Sequence, residues 1–105
     1  MTRPVGIEPE ARAELEDAAQ WYDKQHRGLG LAFLAAVDRA IAHLATWPDA
    51  GTPIGDIAVD LPVRQVRVDR FPYRIAYLVI DDAIQVLAFM HDRRRPGYWH
   101  PRLDG

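Results

Sequence analysis

The chain has 105 residues, a formal net charge of −2, four histidines and no cysteine. A chain of that length builds one modest core, so one domain over residues 1–105 is expected. The lack of thiols excludes disulfides and thiolate metal sites. Met1-Thr2-Arg3-Pro4 has no apolar stretch behind it and does not read as a signal peptide. The longest apolar run, near Leu29 to Val37, falls well short of the roughly 18 residues a membrane span needs. A cytoplasmic protein that does not engage a membrane is the expectation.

Charge is unevenly distributed. Residues 1–62 hold five Lys/Arg against ten Asp/Glu, whereas residues 63–105 hold eight Arg against five Asp and no lysine. Arginine suits planar contact with carboxylate or phosphate, so the second part reads as the side that meets an anionic partner.

In chain order, Val5 and Ile7 read as a short strand. Pro9 can open a helix, because the first helical position needs no N–H. Glu10 and Glu14 favour the positive end of that helix. Leu15, Ala18, Ala19 and Tyr22 then recur at helical spacing, which predicts a helix from Pro9 to about Gln25, its glutamates on a solvated face. Gly28 suits a left-handed stop. Phe33, Val37, Ala40, Ile41 and Leu44 mark the apolar face of a second helix, from about Leu29 to Ala45. Pro48 ends it, and the short linker implies an antiparallel helical hairpin. Residues 48–62, with three prolines and two glycines, read as a loop.

Three strands are predicted next: Val63 to Asp69, Tyr73 to Ile80 and Ala83 to Met90, with Asp81-Asp82 as a tight turn. The expected fold is α+β in the order β-α-α-β-β-β. A twisted antiparallel sheet would carry the hairpin on one face and leave the other open. Tyr73 and Tyr77 would face the helices and Arg74 the open side. Trp47 is expected to plug the bottom of the core, and one of Trp21 and Tyr22 to be core.

The last strand runs through His91 into Asp92-Arg93-Arg94-Arg95-Pro96-Gly97-Tyr98-Trp99. This set of imidazole, guanidinium, phenol and indole groups is one that binds phosphates, bases or a flat protein surface. His91 can serve as an acid or base, or as a structural hydrogen-bonder. Tyr98 and Trp99 can meet a target, or clamp the tail onto the sheet. His26, His43 and His100 show no metal-ligand spacing, and no metal or other cofactor is expected.

Taken together, these motifs resemble the RelE/ParE superfamily of bacterial toxins, also called plasmid stabilisation proteins. The matching residues are Ala13-Glu14-Leu15, Trp21-Tyr22, Gly30, Phe33, Trp47-Pro48, Gly51, Val66-Arg67, Phe71 to Tyr77 and His91 to Trp99. The resemblance implies a growth-inhibiting toxin neutralised by a cognate antitoxin in a hetero-oligomer, with operator DNA bound only through the antitoxin. It also implies one of two targets. ParE-like members act on DNA gyrase and are not nucleases; RelE-like members are metal-independent endoribonucleases that cleave mRNA on the ribosome.

For the nuclease, the resemblance assigns Arg67, Arg74, His91, Arg94 and Tyr98 to catalysis, provided they converge on the open sheet face. Otherwise the basic segment is an interaction surface, with Arg93, Arg95 and Trp99 touching the target. The negative net charge and the absence of lysine after residue 62 are poor for docking on a ribosome. The Tyr73-Arg74-Ile75-Ala76-Tyr77 strand also looks ParE-like, so the gyrase reading is preferred. An inactive relative that only binds antitoxin is the third possibility.

Overall fold

The computed structural model describes residues 2–54, 62–95 and 97–104. In chain order the elements are β1 (Val5–Ile7), α1 (Pro9–Gln25), α2 (Leu29–Thr46), β2 (Thr52–Pro53), β3 (Arg64–Arg67), β4 (Tyr73–Ile80) and β5 (Ala83–His91), then a short 3-10 helix (His100–Asp104). The two helices lie within a residue of their expected limits. Of the stretch 48–62, expected as a loop, Thr52–Pro53 form the short strand β2; residues 48–51, 54 and 62 are turn or irregular, and 55–61 lie outside the described residues.

Local chemistry explains the hairpin. Pro9 opens α1, and Gly28, at φ 89°, takes the left-handed conformation that turns the chain into α2. Asp23 holds this turn by accepting hydrogen bonds from the backbone N–H groups of Gly28 and Gly30. At Gly30 the helices approach so closely that a Cβ would lie 2.5 Å from the carbonyl oxygen of Ala19. Only a residue without a side chain fits there.

The sheet order is β1-β5-β4-β3-β2. The β2-β3-β4-β5 run is antiparallel, as expected, but β1 pairs with β5 in parallel, through Val5–Ile84 and Ile7–Val86. The sheet is therefore mixed rather than antiparallel throughout. Strand β1 precedes the hairpin, and a long helical crossover can return the chain in either sense. The β4–β5 turn has φ of 50° at Asp81 and 64° at Asp82, the double positive φ that matches strand twist in a two-residue hairpin.

One irregularity decides what each face of the sheet carries. In the β4–β5 ladder Tyr77 pairs with Val86 but Ala76 pairs with Ala88, which leaves Leu87 as an extra residue. Such a bulge reverses the facing of everything beyond it. Ile84, Val86 and Phe89 consequently join the core under the helices, with Ala18, Phe33, Val37, Leu44, Ile75 and Tyr77. Leu87, Ala88 and Met90 go to the other face. Tyr22, Phe33 and Tyr73 stack across the helix–sheet interface, with Phe33 5.1 Å from each of the other two rings.

The other face is not open. A second apolar cluster of Val63, Ala76, Leu78, Leu87, Ala88 and Trp99 lies on it, covered by the C-terminal segment through Tyr98 and Leu103. Burial corrects one further expectation and bears out another. Trp47 is 64% exposed and plugs nothing, because α2 ends at Thr46 and the chain turns outward there. Of the α1 pair, Tyr22 packs on the core while Trp21 remains 57% exposed.

Candidate functional site

Arg67 on β3 and Arg74 on β4 are direct cross-strand partners, placed on the face away from the helices by the alternation that buries Val66 and Ile75. Like charges opposite each other repel. They are held by the carboxylate of Asp92, the residue after β5, which lies 3.4 Å from Arg67 Nη2 and 3.7 Å from Arg74 Nε. The Asp92 backbone N–H is itself anchored on the carbonyl of Pro72 at 2.9 Å. Three consecutive strand ends therefore converge on one ion triplet. Next to it is a cavity of about 270 Å³ whose lining includes Arg74, His91, Asp92, Arg94, Tyr98 and Trp99.

His91, which lines the same cavity, is fixed by two contacts. It is the cross-strand partner of Tyr73, the two rings packed edge to face at 5.1 Å. Its Nδ1 accepts a hydrogen bond from the backbone N–H of Arg93 at 3.0 Å. Both features fix the ring at the strand end. Arg93 and Arg95 are exposed. The Arg94 guanidinium stacks 3.9 Å above the ring of Tyr98, a cation–π contact.

Tyr98 is committed elsewhere. Its hydroxyl donates to Glu14 of α1, whose other carboxylate oxygen accepts from Arg102 Nη1 at 2.7 Å and from the Phe89 backbone N–H at 3.2 Å. Arg102 also donates to the carbonyl of Leu87 at 2.9 Å and, through Nε, to Glu10 at 3.0 Å. The geometry has a physical cause. Strand β1 is only three residues long and pairs with Ile84 to Val86, so among the described residues the edge of β5 beyond Val86 lacks a neighbouring strand. Unpaired backbone groups on a buried edge are costly, and the Glu14 and Arg102 side chains satisfy them.

Burial, and then the bond to the Glu14 carboxylate, hold the Tyr98 phenol well above its ordinary pKa. For Arg102 burial alone would lower the pKa, but the bond to Glu14 outweighs it and the guanidinium is raised.

Glu14 and Arg102 are the residues that the sequence reading missed. Glu14 was assigned to a solvated helix face, yet its side chain is only 17% exposed and that of Arg102 only 9%. Glutamate at this position fits the pattern of an exposed helix face, and nothing local pairs it with Arg102, 88 positions away.

Trp99, assigned to target contact, is entirely buried in the second cluster and presents no surface to a partner. Of the five residues assigned to catalysis, Arg74, His91, Arg94 and Tyr98 line the one cavity next to the ion triplet, and Arg67 stands beside it, joined to Arg74 through Asp92.

Comparisons with known proteins now bear on this arrangement. No curated protein matches the chain. Among solved structures, a chain of the "Chromosomal ParDE TA system from P. aeruginosa" is similar, with a TM-score of 0.71 at 15% identity, covering 86% of this chain and 96% of its own. At that identity the likeness establishes the fold. Residues 5–96 match the family described as the ParE toxin of the type II toxin-antitoxin system parDE. With the two-helix hairpin, the five-stranded sheet and this match in hand, the chain belongs to the ParE toxin family, the toxin side of type II toxin–antitoxin systems.

Proposed function

We propose that this toxin inhibits growth by acting on DNA gyrase in the cytoplasm, without nuclease activity, and that a cognate antitoxin neutralises it in a hetero-oligomer. One observation carries the choice of target: the Tyr98 hydroxyl is tied to Glu14. Metal-independent RNA cleavage needs a group that removes the 2′-hydroxyl proton and another that protonates the leaving oxygen. A phenol held by a carboxylate, with its pKa raised far from neutrality, supplies neither. The arginines are then interaction groups. They are suited to anionic side chains on a protein partner, and operator DNA is bound through the antitoxin.

A specific observation favours the second reading, ribosome-dependent mRNA cleavage. Arg74, His91, Arg94 and Tyr98 all line the same cavity, where arginines can stabilise a phosphorane. Pulse-labelling after induction of the chain alone separates the two. Loss of thymidine incorporation before methionine incorporation supports gyrase, and purified gyrase should then accumulate cleaved DNA when the toxin is added. Loss of methionine incorporation first overturns the gyrase reading. If neither falls, the chain binds antitoxin without acting as a toxin.

A further inference from the structure

The Arg67–Asp92–Arg74 triplet is an anion site that already holds an anion. Arg74 Nε is buried without a hydrogen bond among the described residues, since its contact to Asp92 at 3.7 Å is an ion pair too long to be one. Arg67 reaches the other Asp92 oxygen at 3.4 Å, also a long contact, and its side chain is half exposed. Two guanidinium groups therefore share one carboxylate and neither is fully satisfied by it. A planar guanidinium matches a carboxylate with two parallel bonds, and this pair has capacity left for such a contact.

The geometry points to Asp92 as an internal stand-in for a carboxylate of the partner. The Arg67–Arg74 pair is the docking point for an aspartate or glutamate side chain from an acidic segment of the antitoxin, and Asp92 competes with it. This inference rests on the antitoxin reading above and adds the subsite, its ligand chemistry and its internal competitor.

A peptide carboxylate is favoured over nucleic acid for two reasons. The group seated between the arginines in this structure is itself a carboxylate. The cavity beside them is also lined by Ile54 and Met90, which suits apolar residues interspersed with acidic ones rather than a continuous polyanion.

The test uses the full chain, purified free of antitoxin, and follows its arginine Nε–H resonances by NMR. The probes are acetyl-tetraglutamate amide, acetyl-tetraglutamine amide, inorganic phosphate and a single-stranded tetranucleotide. Tetraglutamate is expected to shift the Arg67 and Arg74 signals, and tetraglutamine to leave them unmoved. Asp92→Asn should tighten tetraglutamate binding by roughly three- to tenfold, the scale of losing one or two exposed ion pairs. Arg67→Gln, at a more exposed side chain that the fold does not need, should weaken it by a similar factor.

Unchanged or weaker binding in a folded Asp92→Asn chain overturns the competitor role. Should that variant not fold, unchanged binding by Arg67→Gln overturns the site. Tetranucleotide bound more tightly than tetraglutamate, or phosphate moving signals that tetraglutamate does not, overturns the peptide assignment. Failure of the antitoxin reading looks different: tetraglutamate binds as described, but no acidic partner encoded beside the gene co-purifies with the chain.

Discussion

Tyr98 and Glu14, 84 positions apart, are joined by a hydrogen bond from the phenol to the carboxylate. That bond ties the C-terminal segment to α1 across the edge of β5, and Glu14 accepts two further bonds there, from Arg102 and from the Phe89 backbone. Removing the acceptor leaves several partly buried donors without partners, whereas removing the phenol hydroxyl leaves one acceptor that others still occupy. Glu14→Ala is expected to cost about 2–4 kcal/mol and Tyr98→Phe about 1 kcal/mol. Equilibrium urea unfolding reads both, and equal losses in the two variants would contradict this division.

The same bond predicts how the toxin behaves. In the gyrase reading Tyr98 is a structural residue, so Tyr98→Phe should still arrest growth on induction. A nuclease that used the hydroxyl would lose roughly a hundredfold or more in rate. Colony counts after timed induction, with protein levels matched by immunoblot, decide between them.

Alkaline stability should fall in a defined window. Burial, as the largest cause in each case, raises the pKa of Tyr22, Tyr73, Tyr77 and Tyr98 above the ordinary value of 10.0. These are all four tyrosines of the chain. Above that pH the unfolded chain has lost phenolic protons that the folded chain retains, so stability decreases as pH rises. The contribution is complete below about pH 10 and is lost through the raised folded values. Phenolate absorbance at 295 nm should therefore appear late and together with loss of near-ultraviolet circular dichroism. A smooth titration of the folded chain at the ordinary value would refute this.

The three tryptophans should separate cleanly. Trp99 is wholly buried, so Trp99→Ala is expected to cost about 3–5 kcal/mol. Trp47 is exposed, so Trp47→Ala should stay within about 0.5 kcal/mol of the parent. Fluorescence gives a second reading. Loss of Trp99 should remove the blue-shifted component of the emission, and loss of Trp47 only part of the red-shifted one, which exposed Trp21 shares. Equal destabilisation by the two variants would show that the C-terminal segment does not hold Trp99 on the sheet.

The elements were legible because their signals are local. Pro9, Gly28 and Pro48 punctuate two helices of helical periodicity, and Asp81-Asp82 joins two strands. The facing of Tyr73, Tyr77 and Arg74 followed from strand alternation, which needs no knowledge of the rest of the chain. The parallel pairing of β1 was not legible, since three residues carry no information about which strand they will join. The bulge at Leu87 was hidden for a related reason. In Ala83 to Met90 nearly every residue is apolar, so the sequence contains no alternation to show where the facing reverses.

The functional surface divides in the same way. The sequence by itself determined that arginines gather toward the C-terminus and that Arg67 and Arg74 sit on strands, and its motifs resembled those of RelE/ParE toxins. Tertiary structure alone decided that Asp92 joins those two arginines, that Tyr98 belongs to Glu14, and that Trp99 is core. A side chain at the surface pattern of one helix becomes buried only when a segment far along the chain packs over it. That pairing depends on which edge of the sheet is left uncovered, and the short β1 leaves the edge of β5 to Glu14 and Arg102.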